Sequence, residues 1–394
     1  MDAETASWFD TVESRSRFVV YRRHLDAPEW TGLCLRRADL VLVVIRPDGM
    51  KSLASAVAAA PTGNLSGIDV VLLHDGDELT SNADLRREAS FRDVYHVRSG
   101  HGADIARIVR LLTGRATSLA LSGGGRRGAA HVGTLRAVQE AGLALDLVAG
   151  TSAGAIVGAM AALEMDWRGA LQHVHLLASM PAWREVGPPI VALLSGRSFS
   201  RTLRRIFGDM LIDDTPIPLL PVCAAVESGD VFVPDRGLLW LALRASASLP
   251  GIFPPVPWSK RLLMDGALVN NLPADLLRAR CPAGRVIASD VGSPTLRTDC
   301  PEDLHSTSGW KLLMARWRGL EGNQARANLV DLLTGAARAA STQRFSGIRD
   351  GIDCYITPAI SDHAMLSRRR NHDIDVMFER GYEAAKRALH DSGM

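Results

Sequence analysis

Gly150-Thr151-Ser152-Ala153-Gly154 reads as a sharp turn between a strand and a helix. Apolar Leu145, Leu147 and Val148 lead into it, and the small-residue run from Ala155 to Leu163 follows. A serine on such a turn is forced out of the sheet and exposed at the start of a helix. Its flanking glycines tolerate strained backbone and close packing. The G-x-S-x-G pattern therefore suits a nucleophile. By itself it also fits a glycine-rich turn before a buried helix, so its meaning depends on its surroundings.

Upstream, strand and helix signals alternate. Phe18–Tyr21, Asp39–Ile45, Asp69–Leu73 and Val94–Val97 are strand-like, while Ser52–Ala60 and Asp104–Leu112 are helical. Such alternation implies parallel pairing in an open α/β sheet. This segment holds no glycine-rich phosphate loop and no nucleophile pattern. The next strand, Ser118–Leu121, opens a second block that contains the Ser152 turn and later strands at Val222–Val226 and Val286–Ala288. The expected organisation is an accessory α/β domain over residues 1–115 and a catalytic domain over residues 116–394.

Composition narrows the class. Of 394 residues, 47% are hydrophobic and 22% charged, as in an ordinary soluble globular protein. The formal net charge of +2 gives no global pull toward nucleic acid, and no nucleic-acid partner is expected. Cys34, Cys223, Cys281, Cys300 and Cys354 are widely spaced with no C-x-x-C pair. That pattern argues against a disulfide framework or zinc site and fits a reducing compartment. No basic start followed by an apolar run opens the chain, so no signal peptide is expected. The longest apolar stretch, Leu147–Leu163, contains the Ser152 turn and reads as strand plus helix rather than a membrane span.

Two further elements frame Ser152. Gly123-Gly124-Gly125 lies between a strand and a helical pattern over Ala129–Ala141. Its N–H groups can converge as an oxyanion hole or a phosphate cradle, or form a plain tight turn. The Walker pattern fails for want of a following Lys-Ser/Thr, and no acidic residue ends a clear second strand as dinucleotide binding needs. With a G-x-S-x-G serine one strand later, the oxyanion hole is the best reading. Arg126 and Arg127 follow at the helix start, where cations oppose the dipole. They suit a substrate phosphate or a carboxylate, and Arg126 also suits plain solvent. Downstream, Asp265-Gly266-Ala267 ends the apolar run from Leu262, either as a simple turn or as a general base held at a strand end. An aspartate needs desolvation to act well as a base. A histidine-dependent esterase would instead draw on His305, His363 or His372, which lie late enough in the chain.

In this order the three elements resemble the patatin-like phospholipases. The matching residues are Gly123–Gly128, Gly150–Gly154 and Asp265–Ala267, with Arg244–Pro255 resembling the family's segment before its aspartate. Within the family, the resemblance is to the catalytic region of neuropathy target esterase and its bacterial relatives. It is carried by Leu263–Ala267, Asn270–Asp275, Ala288–Ser293, Ser308-Gly309-Trp310 and the stretch from Trp30 to Val43.

The resemblance implies a three-layer α/β/α catalytic domain and hydrolysis of carboxylic esters of phospholipids or lysophospholipids. It implies Ser152 as nucleophile and Asp265 as base. Gly123, Gly124, Gly125 and Arg126 would form the oxyanion hole, and Arg127 would touch substrate. No metal or cofactor is implied. Cytoplasmic location follows as an expectation, with peripheral contact at the inner face of a membrane. Trp310, Leu313, Met314 and Trp317 fall at helical spacing beside Lys311, Arg316 and Arg318, as an interfacial helix or as one packed on its own core. A catalytically silent lipid-binding scaffold is the alternative of a different class.

Overall fold

The structure, a computed structural model, describes residues 3–24, 26–49, 67–79, 91–180, 185–188, 190–292, 349–360 and 371–394. Contacts divide the chain into two units, Met1–His101 and Gly102–Met394.

In the first unit, helices α1 (Ala3–Arg15) and α2 (Pro28–Arg37) precede strands β1 (Val41–Ile45), β2 (Ile68–His74) and β3 (Val94–Arg98). The strands form a parallel sheet in the order β1-β2-β3. Ile45, Ile68, Val70, Leu72 and Phe91 make its core. Buried Asp69 is neutralised by the Arg92 fork at 2.8 and 3.0 Å. Phe18–Tyr21 is not a strand. Tyr21 instead packs against the rings of Phe9 and Trp30 and donates its hydroxyl to Glu13, which anchors the segment through side chains. The helix expected at Ser52–Ala60 lies outside the described residues.

The second unit begins with α3 (Gly102–Leu112). Buried ion pairs explain why this helix belongs here. Arg110 grips Asp146, and Arg107 reaches Asp104 and Glu164. The division between His101 and Gly102 thus falls ahead of residue 115, at the start of the helix rather than at its end.

After α3 come β4 (Thr117–Leu121), α4 (Ala129–Glu140), β5 (Leu147–Thr151), α5 (Ala153–Ala162), α6 (Trp167–Ala178) and α7 (Arg197–Phe207). Then follow β6 (Leu219–Ala225), β7 (Val231–Phe232), α8 (Leu239–Ser246), β8 (Val256–Trp258), β9 (Arg261–Asp265), α9 (Ala274–Arg280), β10 (Arg285–Ser289), β11 (Cys354–Ile356) and α10 (Asn371–Asp391). The sheet order is β11-β10-β4-β5-β6-β9-β8, with β7 also on β6. Strands from β11 to β6 are parallel, and the pairs β6–β7, β6–β9 and β9–β8 are antiparallel.

Strand residues alternate between two cores. Leu119, Leu121 and Val148 face a layer holding α4, α5 and α10, while Ala120, Leu147 and Ala149 face Ala274 and Leu277 of α9. Burial on both faces accounts for the near-continuous apolar strands and yields three α/β/α layers. Helix α5 is buried from Gly154 to Ala162, which suits its small residues. Among the described residues no helix is long and apolar enough to cross a membrane.

Candidate active site

Parallel pairing of β4 with β5 brings the glycine loop and the Ser152 turn to the same edge of the sheet. The turn is as tight as the motif predicts. Ser152 has φ 55° and ψ −120°, a left-handed conformation that costs a non-glycine residue on the order of 1–3 kcal/mol. It persists because its surroundings hold it. The Ser152 N–H donates to Ser246 Oγ at 2.9 Å, and Ser246 Oγ donates to the Val222 carbonyl at 2.6 Å. A Cβ on Gly150 would meet the Gly154 backbone, and one on Gly154 would lie 2.6 Å from the Ser122 carbonyl. Both glycines are therefore required by close approach.

Strand β9 delivers Asp265. Its register with β6 sets Asp265 opposite Cys223, next to Val222, which pairs with Thr151. The Ser152 hydroxyl donates to Asp265 Oδ2 at 2.8 Å. The Ala267 N–H donates to Oδ1 at 2.9 Å, and the Asp265 N–H is held by the Ser248 carbonyl at 3.0 Å. Asp265 is only 2% exposed. Burial pushes its pKa up to about 6, against the lowering pull of the Ala267 and Ser152 hydrogen bonds. The carboxyl is thus poised to exchange a proton near neutral pH.

The glycine loop packs on the same serine. A Cβ on Gly123 would sit 3.3 Å from Ser152 Cβ and 2.6 Å from Asn271 Oδ1. The Gly123 N–H is occupied, donating to the Asn271 carbonyl at 3.1 Å. Gly124 leads into a 3-10 turn over Gly125–Gly128, and Gly125 takes φ +56°. Among the described residues the Gly124 and Gly125 N–H groups have no acceptor. They are the donors open to an incoming oxygen. The Arg126 guanidinium reaches away to the Ala178 carbonyl at 3.1 Å, and Arg127 is 8% exposed, inside the protein.

Several supporting residues carry no signal in a motif. His131 is fully buried beneath the loop. Its Nε2 must donate to the Ser122 carbonyl at 2.8 Å, since a carbonyl only accepts. Its Nδ1 then accepts from Ser289 Oγ at 3.0 Å, and burial pushes its pKa down to about 4. A neutral imidazole thereby fixes the carbonyl just before Gly123. Thr151 Oγ1 donates to the Asn270 carbonyl at 2.8 Å, tying the turn to the segment after Asp265.

Ser246 and Ser248 lie in the Arg244–Pro255 stretch singled out in the sequence, and each holds the backbone of one member of the pair. No described histidine bonds Ser152. His372 is exposed at the start of α10, while His305, His363 and the Trp310–Trp317 segment lie outside the described residues. Cys34, Cys223, Cys281 and Cys354 are buried and unpaired. Among the described residues no group of three or more His, Cys, Asp or Glu could hold a metal ion.

The family described as Patatin-like phospholipase matches residues 119–278. Patatin-like phospholipase domain-containing protein 7 of Rattus norvegicus is 31% identical, over 96% of this chain and 30% of its own length. Neuropathy target esterase sws of Drosophila melanogaster is 30% identical, over 95% of this chain and 29% of its own. The chain therefore spans about 30% of the length of these relatives. Among solved structures, the crystal structure of VipD from Legionella pneumophila aligns with a TM-score of 0.39 at 14% identity, over 71% of this chain and 67% of that one. Residues 119–278 thus match the patatin-like phospholipase family, and the chain is similar to these longer relatives over most of its own length.

Proposed function

We propose that the chain is a lipid acyl hydrolase that cleaves carboxylic esters of phospholipids or lysophospholipids through Ser152 and Asp265. The observation that carries this reading is the 2.8 Å hydrogen bond from the Ser152 hydroxyl to a buried, uncompensated Asp265. Asp265 takes the Ser152 proton as Oγ bonds the acyl carbon. The carbonyl electron pair moves onto oxygen and is met by the Gly124 and Gly125 N–H groups. Collapse breaks the ester bond, and the departing alcohol takes the proton from Asp265. Water then gives a proton to Asp265 and attacks the acyl-enzyme. Collapse of that second intermediate frees the fatty acid, and Asp265 returns the proton to Ser152.

In this reading the second unit, residues 102–394, carries the chemistry, and the first is an accessory domain. The relatives named as phospholipase and esterase support the substrate class. Labelling with a fluorophosphonate tests the nucleophile: the wild type should label and Ser152→Ala should not. Turnover of lysophospholipid, phospholipid, triacylglycerol and a short ester then sets the class. A wild type that neither labels nor turns over any of the four is a silent lipid-binding scaffold, and this proposal is lost.

A further inference from the structure

The loop before α7 turns apolar side chains to the outside. Val186, Ile190 and Val191 are 57%, 90% and 66% exposed, and Leu193 joins them. The base of the loop is closed. Val186 and Leu194 form an antiparallel bridge, and the Ser195 N–H donates to the Glu185 carbonyl at 3.2 Å. Apolar groups held outward on a closed base mark a surface that meets something apolar.

Beside that base lies a cavity of about 560 Å³, lined by Arg197, Arg201, Arg205, Ser198, Thr202 and Glu185, among others. The three arginines recur every four residues and so share one face of α7, while Leu203 and Phe207 are buried. Among the described residues none of the three forms an ion pair, whereas neighbouring Arg204 pairs with Asp209 at 2.9 Å. Glu185 does not neutralise them. Its carboxylate accepts from the Ser198 N–H and from Ser195 Oγ.

We propose that this face docks on an anionic lipid surface. Val186, Ile190, Val191 and Leu193 enter the boundary of the acyl chains, and Arg197, Arg201 and Arg205 meet lipid phosphates. Arg201 makes only long bonds within the helix, to the Arg197 carbonyl at 3.4 Å and Ser198 Oγ at 3.3 Å. The combination sets the occupant: guanidinium forks without a carboxylate partner among the described residues match phosphate oxygens, exposed aliphatic groups match hydrocarbon, and a bilayer interface presents both. The base of the loop is also tied to the stretch that follows Ser246 and Ser248. The Leu193 and Leu194 N–H groups donate to the Gly251 and Ile252 carbonyls at 2.8 and 2.9 Å, a few residues beyond Ser246 and Ser248. Docking here does not require that Ser152 react.

Sedimentation of the full chain with vesicles tests it, in a Ser152→Ala background that leaves the lipid intact. One set is phosphatidylcholine alone, the other equal parts phosphatidylcholine and phosphatidylglycerol. Binding should favour the anionic set and weaken with salt. Arg201→Gln with Arg205→Gln should lower anionic-vesicle binding by about 5-fold per arginine, and the Arg→Lys pair should retain most of it. Ile190→Ser with Val191→Ser should lower binding to both sets by at least about 10-fold. All four residues are exposed, and unchanged thermal melts would show the variants folded.

Two results overturn the proposal. One is folded variants of both kinds that sediment like the parent. The other is binding displaced by inorganic phosphate at matched ionic strength while the Ile190/Val191 variant stays on vesicles, which assigns the cavity to free phosphate. A chain that docks but does not hydrolyse keeps this inference and loses the hydrolase reading. The reverse result does the opposite.

Discussion

A buried aspartate stands at each end of strand β5, and the two are handled in opposite ways. At the start, Asp146 is fully buried and gripped by Arg110 through bonds of 2.7, 2.9 and 3.1 Å, with the Thr117 N–H at 2.9 Å as a further donor. At the other end, next to the Ser152 turn, Asp265 is almost as deeply buried but among the described residues its carboxylate meets only the Ser152 hydroxyl and the Ala267 N–H. Water cannot solvate either charge, so each must find a cation or raise its affinity for a proton. Asp146 has the cation. Among the described residues Asp265 has none, and burial raises its pKa to about 6. The same residue type is thus a structural tie at one end of the strand and a candidate base at the other, and the difference is one arginine.

The comparison is broken most directly at the Asp265 end. Asp265→Asn keeps the shape and removes the proton acceptor. It should lower kcat/KM for a soluble ester on the order of 10⁴-fold, by the size of effect seen when a hydrolase loses its carboxylate. A fall of less than tenfold would make Asp265 a spectator. Asp146→Ala should do the reverse. It leaves Arg110 uncompensated and should cost about 3–5 kcal/mol of stability in urea titration. The fraction still folded should label with fluorophosphonate at the wild-type rate, and slowed labelling would deny the division of labour.

A smaller effect belongs to the loop between them. A Cβ on Gly124 would run into the Val291 side chain, so Gly124→Ala must shift a candidate oxyanion donor. Loss of one such donor costs roughly 10²–10³ in kcat. Steady-state kinetics should show that fall in kcat with little change in KM. A change confined to KM would move Gly124 out of the reacting centre.

This contrast was only partly legible in the sequence. The turn around Ser152, the Gly123–Gly125 run and Asp265-Gly266 were readable because each needs particular residues at fixed spacing. Strands β2, β3, β4 and β5 were readable because burial on both faces demands apolar runs. Phe18–Tyr21 has the same local apolar character, but Phe18 and Val20 are exposed and Tyr21 packs on Phe9 and Trp30 instead of in a strand, and no local pattern distinguishes the two outcomes. The pairing of Arg110 with Asp146, which draws α3 into the second unit, spans residues far apart in sequence. So do the His131 bonds to Ser122 and Ser289. Long-range polar contacts leave no periodicity, and they are what separates the tied aspartate from the poised one.

The finest test follows stability and activity through the same titration. In the unfolded chain Asp265 should titrate near 3.8, and in the folded protein near 6. Between those values the folded state holds more protons, so rising pH destabilises it, and the full cost of the buried charge is present above about pH 6. Removing the charge should therefore stabilise: Asp265→Asn should gain roughly 2–3 kcal/mol at pH 8, shrinking toward zero by pH 4. The proposed mechanism needs the form that stability disfavours. In wild type, kcat/KM should rise about tenfold per pH unit below 6 and flatten above it, as a base freed of its proton requires. If Asp265→Asn is no more stable than wild type at pH 8, the burial of its charge is relieved by something other than a proton, and the two ends of β5 are more alike than their partners suggest.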